Sequence, residues 1–205
     1  MVITLKTVIE VPATLTAFLN IYLAARANIW NWLFGIFAVV LYGIIFYQTR
    51  LYGDMTLQAV YLLFQFYGWY EWKFGGIQAS QLPITQMPKS QYFILSVVLF
   101  LLFGIFYFLL SHYTNSNTPI IDAFTTALSL IAQWMMCRKW IENWWLWILL
   151  DVSSLYMYTY KHLYLTTALY AVFIFLCCIG YREWKQTMVK KGEKGNLVEI
   201  SPAYL

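Results

Sequence analysis

The stretch Phe66-Tyr67-Gly68-Trp69-Tyr70-Glu71-Trp72-Lys73 returns, altered but legible, as Ile179-Gly180-Tyr181-Arg182-Glu183-Trp184-Lys185. Laying Gly68 on Gly180, Glu71 on Glu183, Trp72 on Trp184 and Lys73 on Lys185 fixes an offset of 112 positions, which needs no gap for a long way upstream. Leu51-Tyr52 falls on Leu163-Tyr164, Ala59-Val60 on Ala171-Val172, Asn31-Trp32 on Asn143-Trp144 and Arg26 on Arg138. The match thins towards Ile9 on Ile121, Glu10 on Asp122 and Thr14 on Thr126. Residues 9–73 and 121–185 are an internal duplication, and any fold for this chain has to contain two like units.

The units are built for a bilayer. Only 11% of the 205 residues are charged, against roughly a quarter in a soluble domain, while 61% are hydrophobic and 20% aromatic. About 20 apolar residues span the ~30 Å hydrocarbon core as a helix. Seven windows of near that length carry almost no charge: Val8 to Ala24, Ile29 to Gln48, Met55 to Trp72, Tyr92 to Tyr113, Ile120 to Cys137, Ile141 to Tyr160 and Leu163 to Tyr181. A cleaved signal peptide competes for the first window, but its basic region is a single Lys6 and no cleavage site is evident, so it reads as a span.

Seven spans place Lys6, Arg50 and Lys161 on one side of the membrane. The other side receives Arg26, Lys73, Lys89, Arg138, Lys139, Arg182, Lys185, Lys190, Lys191 and Lys194. The positive-inside rule makes the second side cytoplasmic, with the N-terminus outside and the C-terminus inside. The net charge of +4 is accounted for by those loops and the tail, so no nucleic-acid partner is implied. Cys137, Cys177 and Cys178 fall in or at the ends of spans, at no metal or disulfide spacing, and read as packing residues.

Each repeat holds three spans, and the unrepeated window from Tyr92 to Tyr113 lies between them. Two three-span units joined directly would face opposite ways; one extra crossing makes them parallel. The expected fold is therefore an all-α membrane protein of seven transmembrane helices in a 3+1+3 arrangement, its pseudo-twofold axis along the membrane normal. Residues 1–73 form the first repeat. Residues 74–119 are a cytoplasmic loop, the linker helix and a short polar outer loop; the loop with Gly75, Gly76, Pro83 and Pro88 reads as a plain connector. Residues 120–185 form the second repeat, and 186–205 a polar, mobile cytoplasmic tail with no second domain.

Catalytic parts are missing. His112 and His162 stand at outer span ends without a partner at ligand spacing, and no nucleophile motif or phosphate-cradling glycine loop is present. No cofactor or metal is expected, and a retinal protein would need a lysine in the last span, which has none.

The polar residues inside the spans follow helical stripes. Gln58, Gln65, Trp69 and Trp72 succeed one another at steps of 7, 4 and 3, one face of the third span. Asn143, Trp144, Trp147, Asp151 and Ser154 do the same in the sixth, and Gln133 lies in the fifth. Such side chains are costly in hydrocarbon, so the stripes face inward. Each glutamine then has two open roles, solute contact or a tie between helices. Asp151, near mid-span, wants a cation or a proton, either from a neighbouring helix or from a ligand. Trp30, Trp32, Trp72, Trp140, Trp144, Trp145 and Trp184 sit near span ends and read as interfacial belt anchors. Trp69 and Trp147 lie deeper, where a flat aromatic cation could stack on them. Glu71 and Glu183 read as surface ion pairs or as contacts between the halves.

Gln58, Tyr67-Gly68-Trp69-Tyr70-x-Trp72 and Asn143-Trp144-x-x-Trp147-x-x-x-Asp151 together resemble the PnuC family of bacterial vitamin transporters, over nearly the whole chain apart from the tail. The resemblance implies a SWEET-like architecture in the bacterial cytoplasmic (inner) membrane and uptake of nicotinamide riboside, with thiamine or riboflavin as the cargo of close relatives. It implies facilitated diffusion by alternating access, trapping of the vitamin by a cytoplasmic kinase, and a homotrimer. It also makes Gln58, Gln65, Trp69, Trp72, Asn143, Trp144, Trp147 and Asp151 candidates for a central pocket, alongside Gln133. Nicotinamide riboside and thiamine are both flat cations, and stacking tryptophans beside a carboxylate suit either. A membrane receptor or scaffold without a transport cycle is the reading from another class.

Overall fold

The computed structural model describes residues 5–114, 118–160, 162 and 164–200. Among them are seven α-helices and no strand: α1 (Leu5–Ala25), α2 (Asn31–Gln48), α3 (Tyr52–Phe74), α4 (Lys89–Tyr113), α5 (Pro119–Cys137), α6 (Asn143–Tyr160) and α7 (Tyr164–Ile200). Five of them, α1, α2, α4, α5 and α7, are long and apolar enough to cross a membrane. The other two, α3 and α6, carry the polar stripes, which lowers their apolarity but not their length. At 1.5 Å per residue they run about 35 Å and 27 Å.

Packing closes six of these helices into a ring. In order round it, α1 touches α2, α2 touches α3, α3 touches α5, α5 touches α6, α6 touches α7, and α7 returns to α1. Helix α4 stays outside and packs on α5, exposing most of its length, Phe93 and Phe100 included. Small residues make the close approaches possible: Ala13, Ala24 and Ala25 on α1, and Ala123, Ala127 and Ala132 on α5, are all buried.

One end of the ring is sealed by tryptophan. Trp32, Trp72, Trp144 and Trp184 are each no more than 1% exposed. They form a chain in which Trp32 meets Trp72 edge-on at 5.2 Å, Trp72 meets Trp184 at 5.9 Å, and Trp184 meets Trp144 edge-on at 5.4 Å. The contacts recur at the 112-residue offset. Trp72 donates its indole N–H to the Met136 carbonyl at 3.0 Å, and Trp184 donates its own to the Ala24 carbonyl at 3.0 Å. Arg138 pairs with Glu71, and Arg26 with Glu183 at 4.0 Å. Gly68 lies against the Trp32 ring and Gly180 against the Trp144 ring, so close that a Cβ at either glycine would overlap the indole. Even the turns agree: α1 and α5 end through left-handed Ala27 (φ 50°) and Lys139 (φ 52°). Each turn closes a six-residue loop, Asn28 N–H to Leu23 O and Trp140 N–H to Met135 O, both reaching one residue further back than the i to i−4 bond of an α-helix.

Three sequence expectations change here. The belt role fits Trp30 and Trp145, which are 60% and 56% exposed, but Trp32, Trp72, Trp144 and Trp184 are core, and Trp140 is buried too. A span-end tryptophan looks the same in sequence whether it turns to lipid or across the bundle. The loop of residues 75–88 is more than a connector, because it is strapped onto the α5–α6 turn. Thr85 N–H reaches Lys139 O and Ile141 N–H reaches Thr85 O, Lys139 Nζ donates to Leu82 O at 2.9 Å, and Met87 N–H reaches Glu142 Oε2 at 3.0 Å. The tail does not leave the helix at Tyr181: α7 runs on to Ile200. Extending a formed helix needs no new nucleus, and buried Trp184 with Met188 packed on the same core holds the extension in place. Residues 115–117 of the outer loop and 201–205 of the tail lie outside the described residues.

Gly68→Ala and Gly180→Ala each push a methyl group into a buried indole, an overpacking cost of about 1–3 kcal/mol. Both variants are expected to melt several degrees below the parent in detergent. Gly104→Ala on α4, where a Cβ meets nothing within 4 Å, is expected to leave the melting temperature in place.

Candidate functional site

Above the tryptophan seal the ring encloses a cavity of about 330 Å³ to which all six ring helices contribute. Its walls are Ala17, Asn20 and Ala24 from α1; Asn31, Trp32, Gly35 and Tyr42 from α2; and Tyr61 and Gln65 from α3. Gln133 and Met136 come from α5, Trp144, Trp147 and Asp151 from α6, and Tyr170, Phe173 and Cys177 from α7. Away from the seal the helices are tied by hydroxyl groups, Tyr61 to Ser129 at 2.5 Å and Thr14 to Tyr42 at 3.3 Å.

Of the residues singled out in the sequence, Gln65, Gln133, Trp144, Trp147 and Asp151 come together round this cavity. The other four do not line it. Gln58 sits at the α2–α3 contact beside Gly43. Trp69 is 42% exposed with Lys73 Nζ 4.9 Å from its ring centroid. Trp72 belongs to the seal, and Asn143 is fully buried with its Nδ2 donating to the Trp140 carbonyl at 2.6 Å. Asn20, Asn31, Gly35, Tyr42 and Tyr61 were not singled out, although two had a signal. Asn20 is an amide inside an apolar span, and Asn31 is the offset partner of Asn143.

The offset separates scaffold from site. Asn31 and Trp32 have identical partners, Asn143 and Trp144. The other polar cavity residues face an unlike residue: Asn20 corresponds to Ala132, Gln65 to Cys177, Gln133 to Ile21, and Asp151 to Val39. Trp147 corresponds to Gly35, so one half supplies an aromatic slab where the other supplies bare backbone. A site that is polar in different places on its two sides suits an asymmetric solute.

Among the described residues Asp151 is the only acidic group on these walls. It is buried, and its Oδ2 accepts from Cys177 Sγ at 3.7 Å, a weak donor. The two ion pairs among the described residues lie at the seal, and neither involves Asp151. With aromatic faces at Trp147 and Tyr170 on the same walls, the cavity has the chemistry to receive a flat cation. No group of three or more His, Cys, Asp or Glu capable of holding a metal occurs among the described residues.

A ring of six helices, four of them long and apolar enough to cross a membrane, round a cavity of about 330 Å³ defines a polytopic membrane protein. The family model described as nicotinamide mononucleotide transporter matches residues 7–186, and the chain belongs to that family, the PnuC-type membrane transporters, rather than to any enzyme family. It is 28% identical to the nicotinamide riboside transporter PnuC of Escherichia coli (strain K12) over 211 residues, covering 91% of this chain and 88% of that one. It is 26% identical to PnuC of Neisseria mucosa over 190 residues, covering 87% of this chain and 72% of the relative. The crystal structure of the vitamin B3 transporter PnuC shares the fold, with a TM-score of 0.70 at 22% identity over 89% of this chain and 82% of that one.

Asp151→Asn keeps the side chain's shape and removes its charge. An aromatic cation is expected to bind the variant about tenfold or more weakly, whereas a neutral isostere of the same cation binds both proteins alike. Titration calorimetry with the two compounds measures the difference.

Proposed function

We propose that the chain is a uniporter for nicotinamide riboside in the bacterial cytoplasmic membrane, working by facilitated diffusion with alternating access. The observation that carries this reading is the central cavity: closed at one end, of a volume at the lower end of the ~300–1,000 Å³ of small-molecule sites, and lined by Trp147 and Asp151. A pyridinium ring stacked on the indole beside the carboxylate meets both its flatness and its charge. The names of the curated relatives point to the same solute.

In this reading all seven helices cross the bilayer, α3 and α6 included, because both stand in the ring between helices that span it. Helices α1–α3 and α5–α7 are two parallel units, α4 the linker, and the arrangement 3+1+3, as in SWEET-like transporters. The sealed end is cytoplasmic by its load of Lys and Arg, which puts the N-terminus outside and the C-terminus inside. A cytoplasmic kinase that phosphorylates the vitamin prevents its return, so that net uptake needs no ion gradient. A homotrimer follows from the family resemblance alone.

Liposomes carrying the purified protein are expected to take up labelled nicotinamide riboside saturably, faster when preloaded with the unlabelled compound, and at a rate indifferent to a pH gradient. Trp147→Ala should slow uptake about tenfold or more. Saturable entry of thiamine in place of nicotinamide riboside would reassign the cargo, and absence of saturable entry of either would leave a receptor or scaffold.

A further inference from the structure

Gly35 stands on α2, and α6 with Trp147 is the helix across the ring from it. A Cβ at Gly35 would overlap Gln65 Oε1 and would come within 2.6 Å of Asn20 Nδ2. The glycine is what lets two amide side chains, one from each neighbouring helix, close onto the α2 backbone. A third amide joins them: Asn31 lies four residues before Gly35, on the same face of α2. The cluster is internally fixed, since Asn20 donates its Nδ2 hydrogen to the Asn31 carbonyl at 2.7 Å.

Two oxygens of this cluster are left over. Gln65 Oε1 and Asn31 Oδ1 are both buried and have no hydrogen-bond partner among the described residues, and both residues line the cavity. A buried acceptor without a donor costs about what a lost hydrogen bond costs, so the pair needs N–H groups from whatever fills the space. The second half of the molecule cannot repeat the arrangement. Ala132, Cys177 and Trp147 occupy the positions of Asn20, Gln65 and Gly35.

We propose that Gln65, Asn31 and Asn20, drawn together over Gly35, form an amide subsite that receives the carboxamide NH2 of the solute, with Gly35 and Trp147 fixing which way round it lies. This rests on the reading of the solute as nicotinamide riboside and adds the group by which it is recognised. A carboxamide brings two N–H donors to two bare acceptors. A carboxylate brings none, and adds a negative charge to a cavity that already holds Asp151. Nicotinamide riboside is therefore selected over nicotinic acid riboside by this wall, and Gly35 acts as a positioning residue.

The test is equilibrium binding of three probes to the full-length detergent-purified protein: nicotinamide riboside, nicotinic acid riboside, and ribosylpyridinium, which lacks the ring substituent. The parent is expected to bind nicotinamide riboside about tenfold or more tightly than ribosylpyridinium, and nicotinic acid riboside most weakly. Gln65→Leu, close in volume, should weaken nicotinamide riboside about tenfold more than it weakens ribosylpyridinium, a coupling that a merely structural role would not give. Gly35→Ala should erase the same preference by displacing both flanking amides. Equal affinities of the three probes for the parent, or equal weakening of both pyridinium ribosides by Gln65→Leu, overturns the subsite while leaving the solute assignment standing. If none of the three binds the parent, the solute assignment falls and the subsite with it.

Discussion

Two indole N–H groups tie the two halves of this molecule together at one end of its helical ring. Trp72 reaches from α3 to the last turn of α5, and Trp184 from α7 to the last turn of α1, each ending on a backbone carbonyl. Inside a bilayer there is no water to take over such a bond, so losing either partner is costly. The two bonds stand at the α3–α5 and α7–α1 contacts, where one half of the sequence meets the other, and the ion pairs Glu71–Arg138 and Arg26–Glu183 bridge the same junctions. Gly68 and Gly180 give the tryptophan rings room. Everything else in the bundle is arranged on either side of this seal: lipid-facing apolar surface outside, and a polar cavity above.

The seal repeats and the cavity does not. Bonds, ion pairs, glycine contacts and left-handed turns recur 112 positions apart, which is what a scaffold of two like halves requires. The cavity breaks that likeness at Asn20, Gln65, Gln133, Trp147 and Asp151, where the partner residue has lost the amide, the charge or the ring. Two copies of one helical unit can close a ring by symmetry. Only divergence between them can make the enclosed space fit an asymmetric solute.

The helices were legible in the sequence because long uncharged windows have few other fates, and the junction because Gly68-x-x-Glu71-Trp72 recurs as Gly180-x-x-Glu183-Trp184. Gln65, Trp147 and Asp151 could be found because a polar residue in an apolar span stands out. The destination of a span-end tryptophan could not, since the bilayer interface and the bundle interior favour the same residue at the same place. Gly35 was silent for a related reason: its contribution is the absence of a side chain, visible only once Gln65 and Asn20 are seen against it. Trp69 shares a helical stripe with Gln65, yet its ring turns out to Lys73, because a stripe fixes direction only to within a fraction of a turn. The strapping of residues 75–88 onto the α5–α6 turn depends on backbone bonds that no side-chain pattern announces.

Alternating access, as proposed for this chain, requires the tryptophan-sealed end to open for the solute to pass. It is tested most directly by joining the two halves there. With the three native cysteines replaced, cysteines at positions 71 and 138 can be linked by a short bifunctional reagent in reconstituted vesicles. On this account linked protein is then expected to bind solute from the side away from the seal but to cease transporting it, and cleaving the linker to restore transport. Undiminished transport by fully linked protein would contradict it, because the seal would then be a fixed floor and the solute would have to leave another way.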